Sequence, residues 1–183
     1  AVTRFLGLPS LALMLPRLPD TEFLQYGGLL KFNWTPTASD QFVISYSRSQ
    51  QDDGKRYDQL LGGDGNLIAD LRDLMLDFVY VKYNRAGLGI FDQVTATYSF
   101  NTQREERVNQ GGNGNPAASI THEYERMYAQ GFQVKAVARF SDRHELLVGG
   151  ELYPEHIKAP SYAYNPVTGA TTVRRGRVPD GAT

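Results

Sequence analysis

The polar segments that separate the strand-like runs of this chain alternate in length, short then long, from Tyr26 onward. The breaks fall at residues 36–40, 50–73, 85–92, 104–126 and 141–144, and then comes everything after Tyr153. A short break leaves no room for the crossover that parallel strands require, so the runs it joins are antiparallel neighbours. If every hairpin shares one orientation, all short connections gather at one end of a sheet and all long ones at the other. The pattern therefore predicts an all-β chain, an antiparallel meander of about six strands with two unlike ends.

The six runs lie near residues 26–35, 41–50, 74–84, 93–104, 126–140 and 145–156, and each alternates apolar with polar or small side chains. Leu30, Phe32 and Trp34 oppose Lys31 and Asn33, while Phe42, Ile44 and Tyr46 oppose Ser45 and Ser47. Leu74, Leu76, Phe78 and Tyr80 are expected on the face opposite Asp77. Val94, Ala96, Tyr98 and Phe100 against Thr95, Thr97, Ser99 and Asn101 give the cleanest period of two. Phe132, Val134, Ala136, Ala138 and Phe140 then oppose Gln133, Lys135 and Arg139, and Leu146, Val148, Gly150 and Leu152 oppose Glu151.

Each run is close to the ~9–11 residues that cross a bilayer at the tilt of a transmembrane barrel. A soluble sandwich would show the same alternation, with its apolar face buried against a second sheet. The loop lengths separate the two, because barrels of the outer membrane carry short periplasmic turns and long extracellular loops. Trp34, Phe42, Tyr83, Phe91 and Phe140 all fall beside short turns, where an aromatic girdle would meet the headgroups. The expected architecture is thus a partial transmembrane β-barrel. Phe42, Ile44, Leu76, Phe78, Tyr98, Phe100, Val134 and Ala136 would share its apolar face, and Thr97, Ser99, Lys135 and Glu151 would line the other.

Composition excludes more than it selects. The 18 Gly, 11 Tyr and 9 Phe favour β-structure, and the absence of Cys removes disulfides, thiolate metal sites and cysteine nucleophiles. A net charge of −1 argues against a nucleic-acid partner. The apolar N-terminal run is interrupted by Gly7, Pro9 and Pro16, and the chain is expected to be an internal piece of a longer protein. Residues 1–24 would then be an extracellular loop or a preceding barrel segment.

The long breaks hold the charged and glycine-rich residues, as in 51–58, 62–66 and 104–116, a composition that favours turns exposed to solvent. Residues 62–66 lack the Lys-Ser/Thr of a phosphate-cradling loop and the bidentate Glu of an EF-hand, so a tight turn is the simpler expectation. Asp64, Asn66 and Asp70 still offer oxygens to a cation. His122, His144 and His156 have no metal-ligand spacing, no Ser occupies a nucleophile elbow, and the paired acids Glu105, Glu106, Glu123 and Glu125 lie among Arg104, Arg107 and Arg126. Cross-strand ion pairs account for them. Neither catalysis, nor a metal, nor a cofactor is expected.

The run LLKFNWTPTASDQFVISYSRSQQ (residues 29–51) resembles the repeating barrel hairpin of TonB-dependent outer-membrane receptors. SDRHELLVGGE (141–151) is similar to the stretch in those barrels where a periplasmic turn leads to a Gly and an inward Glu. NPVTG (165–169) and YDQLLGGDGNLIADL (57–71) resemble their loops, the latter the substrate-side loop of an iron-complex or haem-type receptor. The resemblance covers about residues 25–183. It implies a barrel of about 22 strands when complete, located in the bacterial outer membrane and in contact with its lipid. It also implies binding and import of a scarce nutrient complex (a ferric siderophore, haem or cobalamin) with energy delivered by TonB through a plug domain that this chain does not contain. The implied ligand contacts are the loop residues Arg56, Tyr57, Asp64, Asn66, Arg104, His122, Tyr162 and Tyr164. A passive porin or adhesin barrel and a soluble β-sandwich binding module are the alternatives.

Overall fold

A computed structural model describes residues 21–56, 59, 66–111 and 114–182. Its strands are β1 (Leu24–Trp34), β2 (Asp40–Lys55), β3 (Ile68–Leu88), β4 (Phe91–Gln110), β5 (Ile120–Ser141), β6 (His144–Leu152), β7 (Glu155–Lys158), β8 (Ser161–Tyr164) and β9 (Thr171–Arg174). Every pairing is antiparallel, in one sheet ordered β1-β2-β3-β4-β5, with β6, β7 and β8 all on the far edge of β5 and β9 on β8. Among the described residues the sheet is open, since β1 pairs with β2 alone.

The three short elements beside β5 are one strand in a single register. Phe132 faces Leu152, Arg126 faces Lys158 and Glu123 faces Ser161, so the pairing never slips between them. Pro154 and Pro160 cause the apparent breaks. Each accepts a bond from β5, Gln130 N–H to Pro154 O at 3.0 Å and Tyr124 N–H to Pro160 O at 3.1 Å, yet has no N–H to return. Six long strands are therefore present as expected, and β9 begins a seventh.

The strands run further toward the long-loop end than their apolar residues reach. β3 starts at Ile68 and not near 74, β4 continues to Gln110 and β5 begins at Ile120. The expected breaks at 50–73 and 104–126 are accordingly about half ladder. Charged and polar side chains there pair across strands in water, so polarity alone does not end a strand. At the other end the connections are 35–39, 89–90 and 142–143. The β3–β4 turn shrinks to two residues because Gly87 and Gly89 adopt φ of 66° and 61°, which bulkier residues resist.

Cross-strand register divides the sheet into two faces. One carries Phe32, Ile44, Val81, Tyr98, Phe132 and Leu152 in a row, then Trp34, Phe42, Tyr83, Ala96 and Val134 nearer the turns. Trp34 stacks on Phe42 at 5.4 Å and Phe42 on Tyr83 at 4.7 Å, an aromatic row beside the short turns. Phe91 opens β4 and Phe140 sits at the register shift between Arg139 and Ser141, so both lie at the turns and not within that row. The other face carries Lys31, Ser45, Thr97, Ser99, Gln133, Lys135 and Glu151. Polar side chains chain together across it: Asn84 donates to Gln41 (2.9 Å) and accepts from Thr95 (3.0 Å).

The facing of β3 corrects the sequence expectation. Leu76 and Phe78 oppose Ser49 and Ser47 on the polar face, as do Leu74 and Tyr80 with Gln51 and Ser45, while Val79, Val81 and Tyr83 join the apolar face. Residues 74–83 are apolar at both parities, so the period of two is ambiguous there, and only the partner's register decides it.

The apolar face is bare. Leu30 is 74 % exposed, Leu152 65 % and Phe32 59 %, and the buried apolar side chains are mostly small, Ala69, Ala136, Ala138 and Ala159. A sandwich would cover these residues with a second sheet, and the described residues form a single one.

Candidate functional site

Of the expected ligand contacts that are described, Arg56 lies on the polar face and Arg104, His122, Tyr162 and Tyr164 on the apolar face, all toward the long-loop end. Tyr57 and Asp64 lie outside the described residues. Arg56 follows β2, its N–H bonded to Ala69 O at 2.7 Å, and Asn66 precedes β3, its N–H bonded to Gln59 O at 3.1 Å. Arg104 and His122 were expected in loops and instead lie within β4 and β5, and Tyr162 and Tyr164 lie in β8.

Arg56 lines a cleft of about 330 Å³ on the polar face with Arg107, Asn109, Thr121, Glu123 and Arg174. Below it a second hollow of about 480 Å³ combines Gln51, Gln103, Glu105 and Glu125 with Leu74, Leu76, Met127, Ile157 and Val178. The misassigned face of β3 is what supplies Leu74 and Leu76 to this wall.

The two hollows meet at a charged cluster. Arg177, from the segment after β9, contacts Glu105 and Glu125 at 2.8 and 2.9 Å through one guanidinium nitrogen and Glu123 at 3.2 Å through Nε. Arg107 also contacts Glu105. Burial alone would lower the Arg177 pKa, but the charges of Glu125, Glu105 and Glu123 outweigh it and raise it. The segment is tied down further by Asp180, which accepts from Ala159 N–H at 2.7 Å, and by bonds of Ile157 to Gly181 and Ala182. The sequence carries only a weak signal for this, since the acids stand among nearby Arg residues, whereas the principal partner is 52 to 72 residues away.

On the apolar face, above the apolar band, Arg104, His122, Tyr162 and Tyr164 join a cationic and aromatic surface. Register sets Arg104 opposite Arg126 and Arg126 opposite Lys158. It also sets Tyr128 opposite His156 and His122 opposite Tyr162. Arg104 pairs with Asp73 at 2.6 Å, and Arg126 lies 5.0 Å from the Tyr128 ring centre. Tyr124, across from Glu106, has its phenol pKa raised by burial first and then by the Glu106 charge and hydrogen bond, so it stays protonated and donates. Arg126 and Lys158 were missed because each reads singly as an ordinary strand charge; only register aligns them.

Among the described residues no group of three His, Cys, Asp or Glu side chains is placed to hold a metal ion. The arrangement offers polar and ionic recognition on one face and cationic, aromatic contact on the other. No protein-family model, curated protein or solved structure matches the chain.

Proposed function

We propose that the chain is part of the barrel of a TonB-dependent receptor of the bacterial outer membrane, about 22 strands when complete. The receptor would bind a scarce nutrient complex, ferric siderophore, haem or cobalamin, and pass it inward with energy from TonB. The observation that supports this best is the division of one open sheet into a bare apolar band beside the short turns and a mostly polar face behind it, interrupted by Leu74, Leu76, Phe78 and Tyr80 of β3. Such a sheet suits lipid on one side and a wet lumen on the other.

In this role the polar clefts with Arg56, Arg107 and the Arg177 cluster face the lumen below the long loops, where a ligand would pass. The mechanism is recognition followed by plug movement, with no covalent step. The test is uptake by cells whose copy of the protein has been deleted and restored, supplied in turn with ferric siderophores, haem and cobalamin. Restored uptake of one of them that disappears on removing TonB is expected. Uptake that persists without TonB indicates a passive porin, and no uptake of any overturns the nutrient assignment.

A further inference from the structure

We propose that Arg104, Arg126 and Lys158 form a site for the phosphate groups of an anionic lipid headgroup, on the lipid-facing side of the wall. The site rests on the barrel assignment and adds a defined lipid contact to it.

Its first support is register. The three cations lie directly opposite one another on β4, β5 and β7, and neighbouring strands are about 4.8 Å apart. Like charges so placed repel, and the described residues neutralise only one of them, Arg104 through Asp73 at 2.6 Å. Among those residues neither Arg126 nor Lys158 has a carboxylate partner, and both are exposed.

Charge on this face is also segregated. Its acids above the apolar band, Asp52, Asp73, Asp77 and Glu106, stand on β2, β3 and β4. Asp77 is taken by Arg48 (3.4 Å) and Tyr46 (2.8 Å), and Asp52 by Gln50 (2.7 Å). From Gln130 to Ile120 on β5, and from Pro154 to Tyr164 beside it, the same face holds no acid. The patch is therefore complementary to an anion on one side only.

Height selects a lipid as the source. Arg104 stands four residues beyond Phe100 on the same face, about 13 Å along the strand, at the level where headgroups succeed hydrocarbon. Tyr128 supports Arg126 by its ring face, which leaves the edge of the guanidinium, with its forked donors, for phosphate oxygens. An anionic nutrient passing through the lumen would meet the opposite face of this wall.

The experiment uses the intact protein that carries this sheet, purified in neutral detergent, with lipid retention followed by native mass spectrometry. Phosphatidylglycerol, phosphatidylcholine and inorganic phosphate are offered separately, at low and high salt. Wild type should retain phosphatidylglycerol preferentially. Lys158→Gln should cut that preference by about fivefold and Arg126→Gln with Lys158→Gln by about 25-fold, the weight of a basic residue at an anionic surface. Lys135→Gln, on the other face, should leave it unchanged. Equal retention of both lipids, or an undiminished preference in Lys158→Gln, overturns the site while detergent dependence upholds the barrel. Retention of inorganic phosphate in place of the lipid overturns the lipid as its source. A protein that stays folded and monomeric without detergent overturns the barrel assignment itself.

Discussion

Asp40 shows how one side chain closes the first short turn. Thr37 Oγ1 accepts from the backbone N–H groups of Ser39 and Asp40 and donates to the Asp40 carboxylate at 2.6 Å. Tyr83 and Arg85, from the next hairpin, donate to the same carboxylate at 2.7 and 2.8 Å. Hydrogen bonds from Thr37, Tyr83 and Arg85 lower its pKa from 3.8 to about 2. A depressed carboxylate pKa contributes stability that is present above the ordinary value and lost as pH falls through the depressed one. Carboxyl chemical shifts in the detergent-solubilised protein should therefore show Asp40 still ionised at about pH 3, below the usual Asp range, and Asp40→Asn should remove that pH dependence. A midpoint near the ordinary value would mean that the three donors do not converge. Gly131 makes a second residue-scale case. It faces Tyr153 across the break before Pro154, and a Cβ there would lie 2.7 Å from the Tyr153 ring and closer still to Ser99 Oγ. Gly131→Ala should cost about 1–3 kcal/mol by overpacking, read from denaturant midpoints against wild type. None of this was legible in the sequence, where Asp40 marks only the end of a turn and Gly131 only a small residue in a strand. Both roles arise from partners on other hairpins.

At the level of elements, legibility followed periodicity. β1, β2, β4, β5 and β6 alternate cleanly, and their faces in the structure are those expected. β3 is apolar at both parities, so its periodicity cannot say which set shares the face of the other strands' apolar residues. Strand ends were less legible than strand centres. Charge and glycine runs resemble connections, yet around Arg104 and His122 paired charges on long strands extend the ladder. The sixth strand was legible as far as residue 156, and its continuation past Pro154 and Pro160 depends on a register held by β5. If β6, β7 and β8 are one strand, the β5 amides that bond to the proline carbonyls must be as well sheltered as their neighbours. Hydrogen exchange should find Gln130 and Tyr124 N–H protected to the same degree as Tyr128 and Phe132. Exchange at loop rates for those two amides would instead make the edge three independent pieces, and the cationic row, which needs Lys158 held opposite Arg126, would lose its frame.

Across the described residues the molecule is an open sheet with an apolar face, and both properties bear on whether it can exist alone. Among the described residues, all eleven of β1 are exposed and pair on one side only, which leaves a row of N–H and C=O groups ready to template another strand. The far edge, along β6, is likewise uncovered: every residue from His144 to Leu152 is exposed. In lipid an unpaired edge is not tolerated, because no water is there to satisfy it, and closure of the barrel is the remedy. In water the edge is tolerable, but the band of Leu30, Phe32, Ile44, Tyr98, Phe132 and Leu152 is not, since contiguous apolar patches this bare drive association. Residues 1–183 expressed alone, without detergent, should therefore form aggregates or inclusion bodies. The same sheet inside the intact protein in detergent should be folded and unfold as part of a larger unit. Size exclusion and chemical denaturation of both preparations decide it. A soluble monomer of 1–183 with a cooperative transition would mean that the apolar face finds cover within the chain itself, and a self-contained binding module would then replace the receptor wall.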